Sequence, residues 1–428
     1  MKNVFVFPCG SEIALEIARS LSGDRHFHLV GGSSVDDHGR FVYDDIVDGI
    51  PWIDSEEFIP FVKKIVKTHN IDLIYPATDM SLAVLKQAEI ELGCYVVTSP
   101  VDTVKTCLSK RMTYSALKNI IRTPTVYSEN DRMEYPVFAK PDIGHSSRGV
   151  AILGSESEKE AFLLKNKNVL LLELLPGDEY TVDCFSDKNG KLLFAGARVR
   201  ARTMNGISVH TEPVDDVEQN EFGNLVSKIN YALKFRGAWF AQFKRACDGE
   251  LALLEVAARF GGSSSLFRGR GINFALLSLW DALGADVSVV TNNFPIEMDR
   301  ALDNRYKLSL EYNEIFLDYD DTVVMSSTGM INPKVMCLVF SCINRGIKVT
   351  VLSRHDGDLF SDIRKHKLDG LFTRVIHIGK NNSKADFIDN KKAIFIDDSY
   401  AERVVVIKKC RIPSFGLDMI DALCDNWR

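Results

Sequence analysis

The hydrophobic positions of this chain follow two rhythms. In residues 2–100, "NVFVFPCG" is a continuous apolar run ending in a glycine turn, which predicts a buried strand. "SEIALEIARSL" then repeats apolar residues at helical spacing, with Ser11 as its N-cap. "FHLVGGSS" and "IDLIYPATD" repeat the strand-then-turn pattern, "FIPFVKKIVKTH" predicts a helix between them, and "CYVVTSP" adds a strand. The alternation predicts an open parallel α/β sheet. Ligands of such sheets bind beyond the strand C-termini, so Gly10, Ser33, Ser34 and Asp79 are expected at a crevice. Ordinary turn chemistry is the competing explanation for each of them. No GxGxxG follows the first strand, so a dinucleotide site is unsupported.

From residue 103 the rhythm changes. "TCLSKRMTYSALKN" is helical, and the segments from "YPVFAKPDIGHSSRGVAIL" to "GAWFAQFKRACDGELALLEVAARFGG" are strand-rich, with hairpin turns at "DKNG" and "CDGE". This predicts an α+β region built on antiparallel strands. The polar "TNNFPIEMDRALDNRY" reads as a linker, and after about residue 310 strand–helix alternation returns. Three domains follow, at 1–105, 106–305 and 310–428.

Composition narrows the functional classes. The 428 residues are 46% hydrophobic and 26% charged, with a net charge of −6, so there is no global electrostatic footprint for nucleic acid. The nine cysteines are scattered, with no CxxC pair, which favours reduced thiols over disulfides or zinc. No run of about 18 apolar residues occurs, so no membrane span is expected, and a cytoplasmic protein is.

The chemistry of the middle region starts at "VFAKPDIGHSSRGV". An apolar strand presents Lys140, and the loop beyond it, holding Ser146 and Ser147, is flanked by Gly144 and Gly149. Small residues let backbone N–H groups approach phosphate, and a lysine neutralises it. The same loop can also be an ordinary turn, and its spacing is not that of a GxxxxGK[ST] loop. "LLLELLPGDEYTVD" places Glu173 and Glu179 around a turn. Gln242 and Glu255 lie on the two strands of one hairpin, an oxygen pair suited to Mg2+, and Arg259 follows four residues later. Arg198, Arg200 and Arg202 alternate along a strand and are expected on one face, which with Arg268 and Arg270 would hold a carboxylate.

In this order the residues resemble the ATP-grasp superfamily, across roughly residues 1–290, including its preceding Rossmann-like sheet domain. The resemblance implies that Lys110 and Lys140, with the Ser146–Ser147 loop, contact ATP phosphates. It further implies adenine near Glu173, ribose on Glu179, and Mg2+ on Gln242 and Glu255. The implied activity is carboxylate–amine ligation through an acyl phosphate, as in amino-acid ligases, with Arg259 aiding transfer. Carbamoyl-phosphate synthesis fits less well, because its large subunit carries two such modules. One departure is "EVAAR", where Ala257 and Ala258 replace the Asn and Pro that the family often shows. Alanine offers no side-chain oxygen, so altered metal binding is expected.

The last region carries a second acidic pattern. "EIFLDYDDTVV" drives an apolar strand into Asp318, Asp320 and Thr322, "KVTVLS" ends in Ser353, and "AIFIDDS" delivers Asp397 and Asp398, with Lys384 before it. Carboxylates this close repel one another unless a cation sits among them. The series resembles the haloacid dehalogenase (HAD) superfamily of phosphatases over residues 312–428. The resemblance implies Asp318 as nucleophile, Asp320 as general acid and base, and Ser353 and Lys384 on the phosphoryl oxygens. Mg2+ would be held by Asp318 and Asp397, with Asp398 assisting and Asp320 as a further candidate ligand. The gap from Thr322 to Ser353 leaves room for one helix and little else, and the next, to Lys384, is also short, so a capless domain is expected.

The expectation is therefore a bifunctional enzyme using ATP and Mg2+ on small carboxylate and amine substrates, phosphorylated ones included. No nucleic-acid or membrane partner is expected, and a homo-oligomer is compatible with the sequence. The alternatives are an ATP-binding sensor that regulates a phosphatase, or an HAD scaffold beside an active ligase.

Overall fold

Val4, Phe5 and Val6 have no exposed surface. A strand covered on both faces requires this, and it explains the unbroken apolar run. Val4 and Val6 pack with Ile13 and Ile17 of the helix Glu12–Ser20, whereas Phe5 and Phe7 pack with Phe58, Val62 and Ile65 of the helix Phe58–Thr68. The computed structural model describes residues 1–22, 24–128, 131–144, 149–292, 294–301 and 310–424. It divides into two compact units, Met1–Leu302 and Asp303–Arg428.

The first unit opens with a parallel sheet of β1 (Lys2–Phe7), β2 (Phe27–Gly32), β3 (Asp45–Val47), β4 (Leu73–Pro76) and β5 (Tyr95–Val96), in the order β3-β2-β1-β4-β5. The strand order reverses between β1 and β4, which is where such a sheet leaves a crevice.

Two antiparallel sheets follow. The smaller contains β6 (Val126–Tyr127), β7 (Val137–Pro141), β8 (Ala151–Leu153) and β9 (Val169–Glu173), in the order β6-β9-β7-β8. The larger contains β10 (Glu179–Ser186), β11 (Leu192–Met204), β12 (Ile207–Pro213), β13 (Gly237–Arg245), β14 (Leu251–Ala257) and β15 (Met298–Asp299), in the order β14-β13-β10-β11-β12-β15. The helix Asp216–Leu233 buries Phe222, Val226 and Ile229 in one cluster with Trp239 and Phe243 of β13.

Two expectations are corrected here. The single helix over 106–119 is two, Val101–Leu108 and Lys110–Leu117, broken at Ser109. The Ser109 hydroxyl accepts from Met112 N and donates to Asp142, so it caps the second helix and ties it to the strand-end loop. The stretch read as a linker contributes β15, which pairs with His210 and Thr211, while residues 302–309 lie outside the described residues.

The second unit repeats the first strand order. β16 (Glu314–Leu317) is central, β17 (Val324–Met325) and β18 (Met330–Ile331) form a hairpin, and β19 (Lys348–Ser353), β20 (Arg374–His377), β21 (Ala393–Ile396) and β22 (Ser414–Phe415) complete a parallel sheet, β20-β19-β16-β21-β22. Ile315 and Leu317 pack into one core cluster and Phe316 into another, on opposite sides of the sheet. The gap expected to hold one helix holds this hairpin as well as the helix Pro333–Asn344. Among the described residues, no helix is long and apolar enough to cross a membrane.

Candidate functional site

In the first unit, a row of directly opposed residues crosses four strands of the larger sheet. Glu255 on β14 faces Gln242 on β13, Gln242 faces Thr181 on β10, and Thr181 faces Arg198 on β11. Residues paired this way project to one side of a sheet. Three cavities meet along this row, and Glu255 lines all three.

The first cavity, of about 210 Å³, is a cleft between the two antiparallel sheets. Its walls include Lys110, Phe138, Lys140, Leu172, Leu175, Glu179, Gln242 and Leu254, so an apolar slot ends in cations and carboxylates. Lys140 Nζ donates to Tyr114 Oη (2.7 Å) and to the Leu254 carbonyl (3.0 Å), linking β7 to β14. Burial pushes the Lys140 pKa down to about 8, against the pull of Glu255. Lys110 starts the second helix and donates to the Asp142 and Gly144 carbonyls at the root of the small-residue loop. Ser146 and Ser147 lie outside the described residues. Glu173 also lines the cleft, and its side chain accepts from Arg122 and Thr125 at the strand edge.

The second cavity is a polar chamber of about 320 Å³ beside Gln242 and Glu255. Arg198 and Arg200 line it; Arg202 and Arg268 do not. The expected single face of arginines fails because the pairing of β11 with β12 shifts register between Val199 and Arg202. Arg202 is 61% exposed and pairs with Asp299. Arg268 pairs with Glu16, and Arg270 donates to the Phe294 carbonyl. Arg198 is committed to Asp183 (2.6 Å), and Arg200 lies 2.8 Å from Glu179.

The third cavity, about 410 Å³, opens at the crevice of the parallel sheet and has a largely apolar wall of Ile13, Met80, Leu108, Ile143 and Val256. Ala257 and Arg259 also line it. Asp79 takes part as expected, but Gly10, Ser33 and Ser34 do not. A β-carbon on Gly10 would strike the Asp37 carboxylate, and the Ser33 hydroxyl donates to that same group (2.6 Å), so these residues build a loop of their own. Arg259 lines the polar chamber as well, with two of its guanidinium N–H groups held by Asp79.

In the second unit, the acidic residues gather at the C-terminal ends of adjacent strands β16 and β21, the point where this sheet also reverses order. Asp318, Asp397 and Asp398 present carboxylate oxygens that all lie within 4.8 Å of one another. Lys384 Nζ lies 2.7 Å from both Asp318 and Asp397. Burial pushes both carboxyls up, Asp397 to about 6 with the charge of Asp318 adding to the effect. Burial alone would lower the Lys384 pKa, but the two carboxylates outweigh it and hold it up. Three hard oxygen donors whose charges are mutually costly fit a divalent cation. Ser353, buried at the end of β19, lies beside Asp318 and helps to favour its charged form.

Asp320 does not join that carboxylate group. His355 Nδ1 lies 2.8 and 3.1 Å from its two oxygens, so Asp320 is removed from the candidate metal ligands. Arg354 is held by Glu402 and donates to the Asn382 carbonyl.

Sequence reading missed Thr181, Ser208 and the His355–Asp320 contact. Thr181 had a signal, since it alternates with Glu179 and Asp183 in "EYTVD". Ser208 had none; His355, with Arg354, follows Ser353 closely enough to be a candidate substrate contact, but its pairing with Asp320 had no signal because the two are distant in sequence.

Residues 165–302 match a family described as ATP-grasp in the biosynthetic pathway with Ter operon. No curated protein sequence matches the chain. Among solved structures, it resembles the biotin carboxylase domain of Hydrogenobacter thermophilus 2-oxoglutarate carboxylase, bound to MgADP, ADP and bicarbonate. The TM-score is 0.59 at 16% identity, covering 68% of this chain and 71% of that one. It also resembles an L-amino acid ligase from Bacillus licheniformis, with TM-score 0.55, 20% identity, and coverage of 66% and 74%. The fold is ATP-grasp-like.

Proposed function

We propose that residues 1–302 form an ATP-dependent carboxylate–amine ligase and that residues 310–424 form a magnesium-dependent phosphatase of HAD type. The observation that carries the first part is the row Glu255–Gln242–Thr181 running between a cleft with two lysines and a polar chamber. The neighbours that share the fold include an ADP- and magnesium-bound carboxylase and an amino acid ligase, which supports nucleotide and Mg2+ here.

In this reading the apolar slot takes the base, Lys110 and Lys140 neutralise phosphates, and Gln242 and Glu255 hold Mg2+. Positioning and charge neutralisation then do the catalytic work. A substrate carboxylate in the polar chamber lies across Glu255 from the phosphates, so it is placed to become an acyl phosphate that an amine converts to an amide. Arg259 serves as a brace between the parallel sheet and β14.

In the second unit, Mg2+ on Asp318, Asp397 and Asp398 would offset phosphate charge. The Asp318 carboxylate attacks phosphorus, the ester P–O bond breaks, and Asp320 gives its proton to the departing oxygen. Asp320 then takes a proton from the water that releases phosphate. Lys384 and Ser353 are within reach of the phosphoryl oxygens. The two activities would be consecutive, with the phosphatase acting on the ligase's phosphorylated amide.

The test is Asp318→Asn in the full chain, supplied with ATP, Mg2+ and a panel of phosphorylated carboxylates and amines. ADP release should persist while a phosphorylated amide accumulates. Equal final product at an equal rate rejects the pairing, and no ADP release from the native chain rejects the ligase. If ATP binds without turnover and alters phosphate-ester hydrolysis, the nucleotide unit is a sensor instead.

A further inference from the structure

The polar chamber carries more information than its position. Among the described residues of the first unit, the buried side-chain polar atoms without a hydrogen bond are Glu12 Oε1, Thr181 Oγ1, Asp183 Oδ1, Arg200 Nε and Ser208 Oγ. All but Asp183 belong to residues that line this chamber, and Asp183 holds Arg198, which does. Glu12 and Arg200 have ionic neighbours in Arg300 and Glu179. Thr181 and Ser208 are different: they are 1% and 3% exposed, and their hydroxyls have no hydrogen-bond partner at all.

A buried hydroxyl without a partner is unfavourable, and native proteins concentrate such groups where something else completes them. Thr181 sits in the cross-strand row between Gln242 and Arg198, so its side chain belongs to the floor of the chamber. Ser208 lies on β12, and the Ser263 hydroxyl donates to its carbonyl, which fixes that wall. The rest of the lining is polar or glycine apart from Ile207 and Phe240. The neighbouring chamber, by contrast, has an apolar wall.

Resting on the ligase reading above, we infer that the acid accepted by the polar chamber is small and hydroxylated. Its hydroxyl groups pair with Thr181 and Ser208, and its carboxylate lies toward Arg200 and Glu255's metal. A volume of about 320 Å³ suits a metabolite of a few carbons. A site that pairs substrate hydroxyls discriminates strongly against analogues lacking them, because its own groups are then left unpaired.

The test uses the full chain with MgADP and two probes: glycerate and isovalerate. Binding is read by calorimetry. Glycerate should bind at least about tenfold more tightly than isovalerate, which has the same single charge without the hydroxyls. Thr181→Val and Ser208→Ala should each weaken that binding by about three- to tenfold. Because neither hydroxyl has a partner in the free protein, both variants should keep the native melting temperature or exceed it. Isovalerate binding equally well, no probe binding, or variants that melt earlier with unchanged affinity would each overturn the inference. MgADP binding, measured in the same samples and with Lys140→Met, reports separately on the ligase reading.

Discussion

Arg259 and Asp79, 180 positions apart, are joined by two hydrogen bonds of 2.8 and 2.7 Å, with the Phe240 ring 5.3 Å from the guanidinium. The pair ties the end of β4 to the end of β14, so the parallel sheet and the metal-candidate strand are held as one piece. Removing one partner strands a largely buried charge. Asp79→Ala is expected to destabilise the chain by about 2 kcal/mol. Arg259→Ala should do the same, and a double-mutant cycle in urea should give a coupling of about 1 kcal/mol or more.

Lys140 is predicted to report nucleotide binding through its proton. Its pKa is pushed down to about 8, so near pH 8 about half the molecules carry it neutral. Phosphates arriving beside it favour the charged form, and binding should therefore take up a proton. Calorimetry in buffers of different ionisation enthalpy should show an uptake of about half a proton at pH 8 and almost none at pH 6. Lys140→Met should abolish the difference.

Cation binding to the second unit is predicted to weaken in acid. Asp397, raised to about 6, is protonated below that pH and stops being a ligand. Its raised folded value also means that it favours folding below its ordinary range, near 4, and that this contribution is lost as pH rises through about 6. A bound cation should restore stability at neutral pH. Mg2+ affinity, followed by thermal shift, should fall by about tenfold per pH unit below 6 and be nearly flat above 7.

His355 is predicted to act through Asp320. Its Nδ1 holds both oxygens of that carboxyl, and Tyr319 packs edge-on against the ring at 5.6 Å. A proton donor matters for a poor leaving group and hardly at all for a good one. His355→Ala should slow hydrolysis of an alkyl phosphate by about tenfold or more and leave p-nitrophenyl phosphate nearly unchanged. His355→Asn, which keeps a donor at a similar place, should recover part of the loss. An equal drop for both esters would make the contact merely structural.

What could be read from the sequence was whatever is local. The apolar runs before Asp318 and Asp397, the Gln242–Glu255 hairpin and the lysine before the small-residue loop are encoded within a few residues of themselves. Period-two alternation and burial on both faces made those strands legible, and so did the parallel and antiparallel character of the sheets. Long-range packing decided the rest. A register shift scattered three arginines that alternate in sequence, and Asp79 claimed the arginine expected to meet phosphate. His355 drew Asp320 out of the carboxylate group, and Thr181 and Ser208, on different strands, came to line one chamber. Side-chain direction follows from the backbone, but what a charged or polar group finally touches depends on partners that only the folded chain brings within hydrogen-bonding distance.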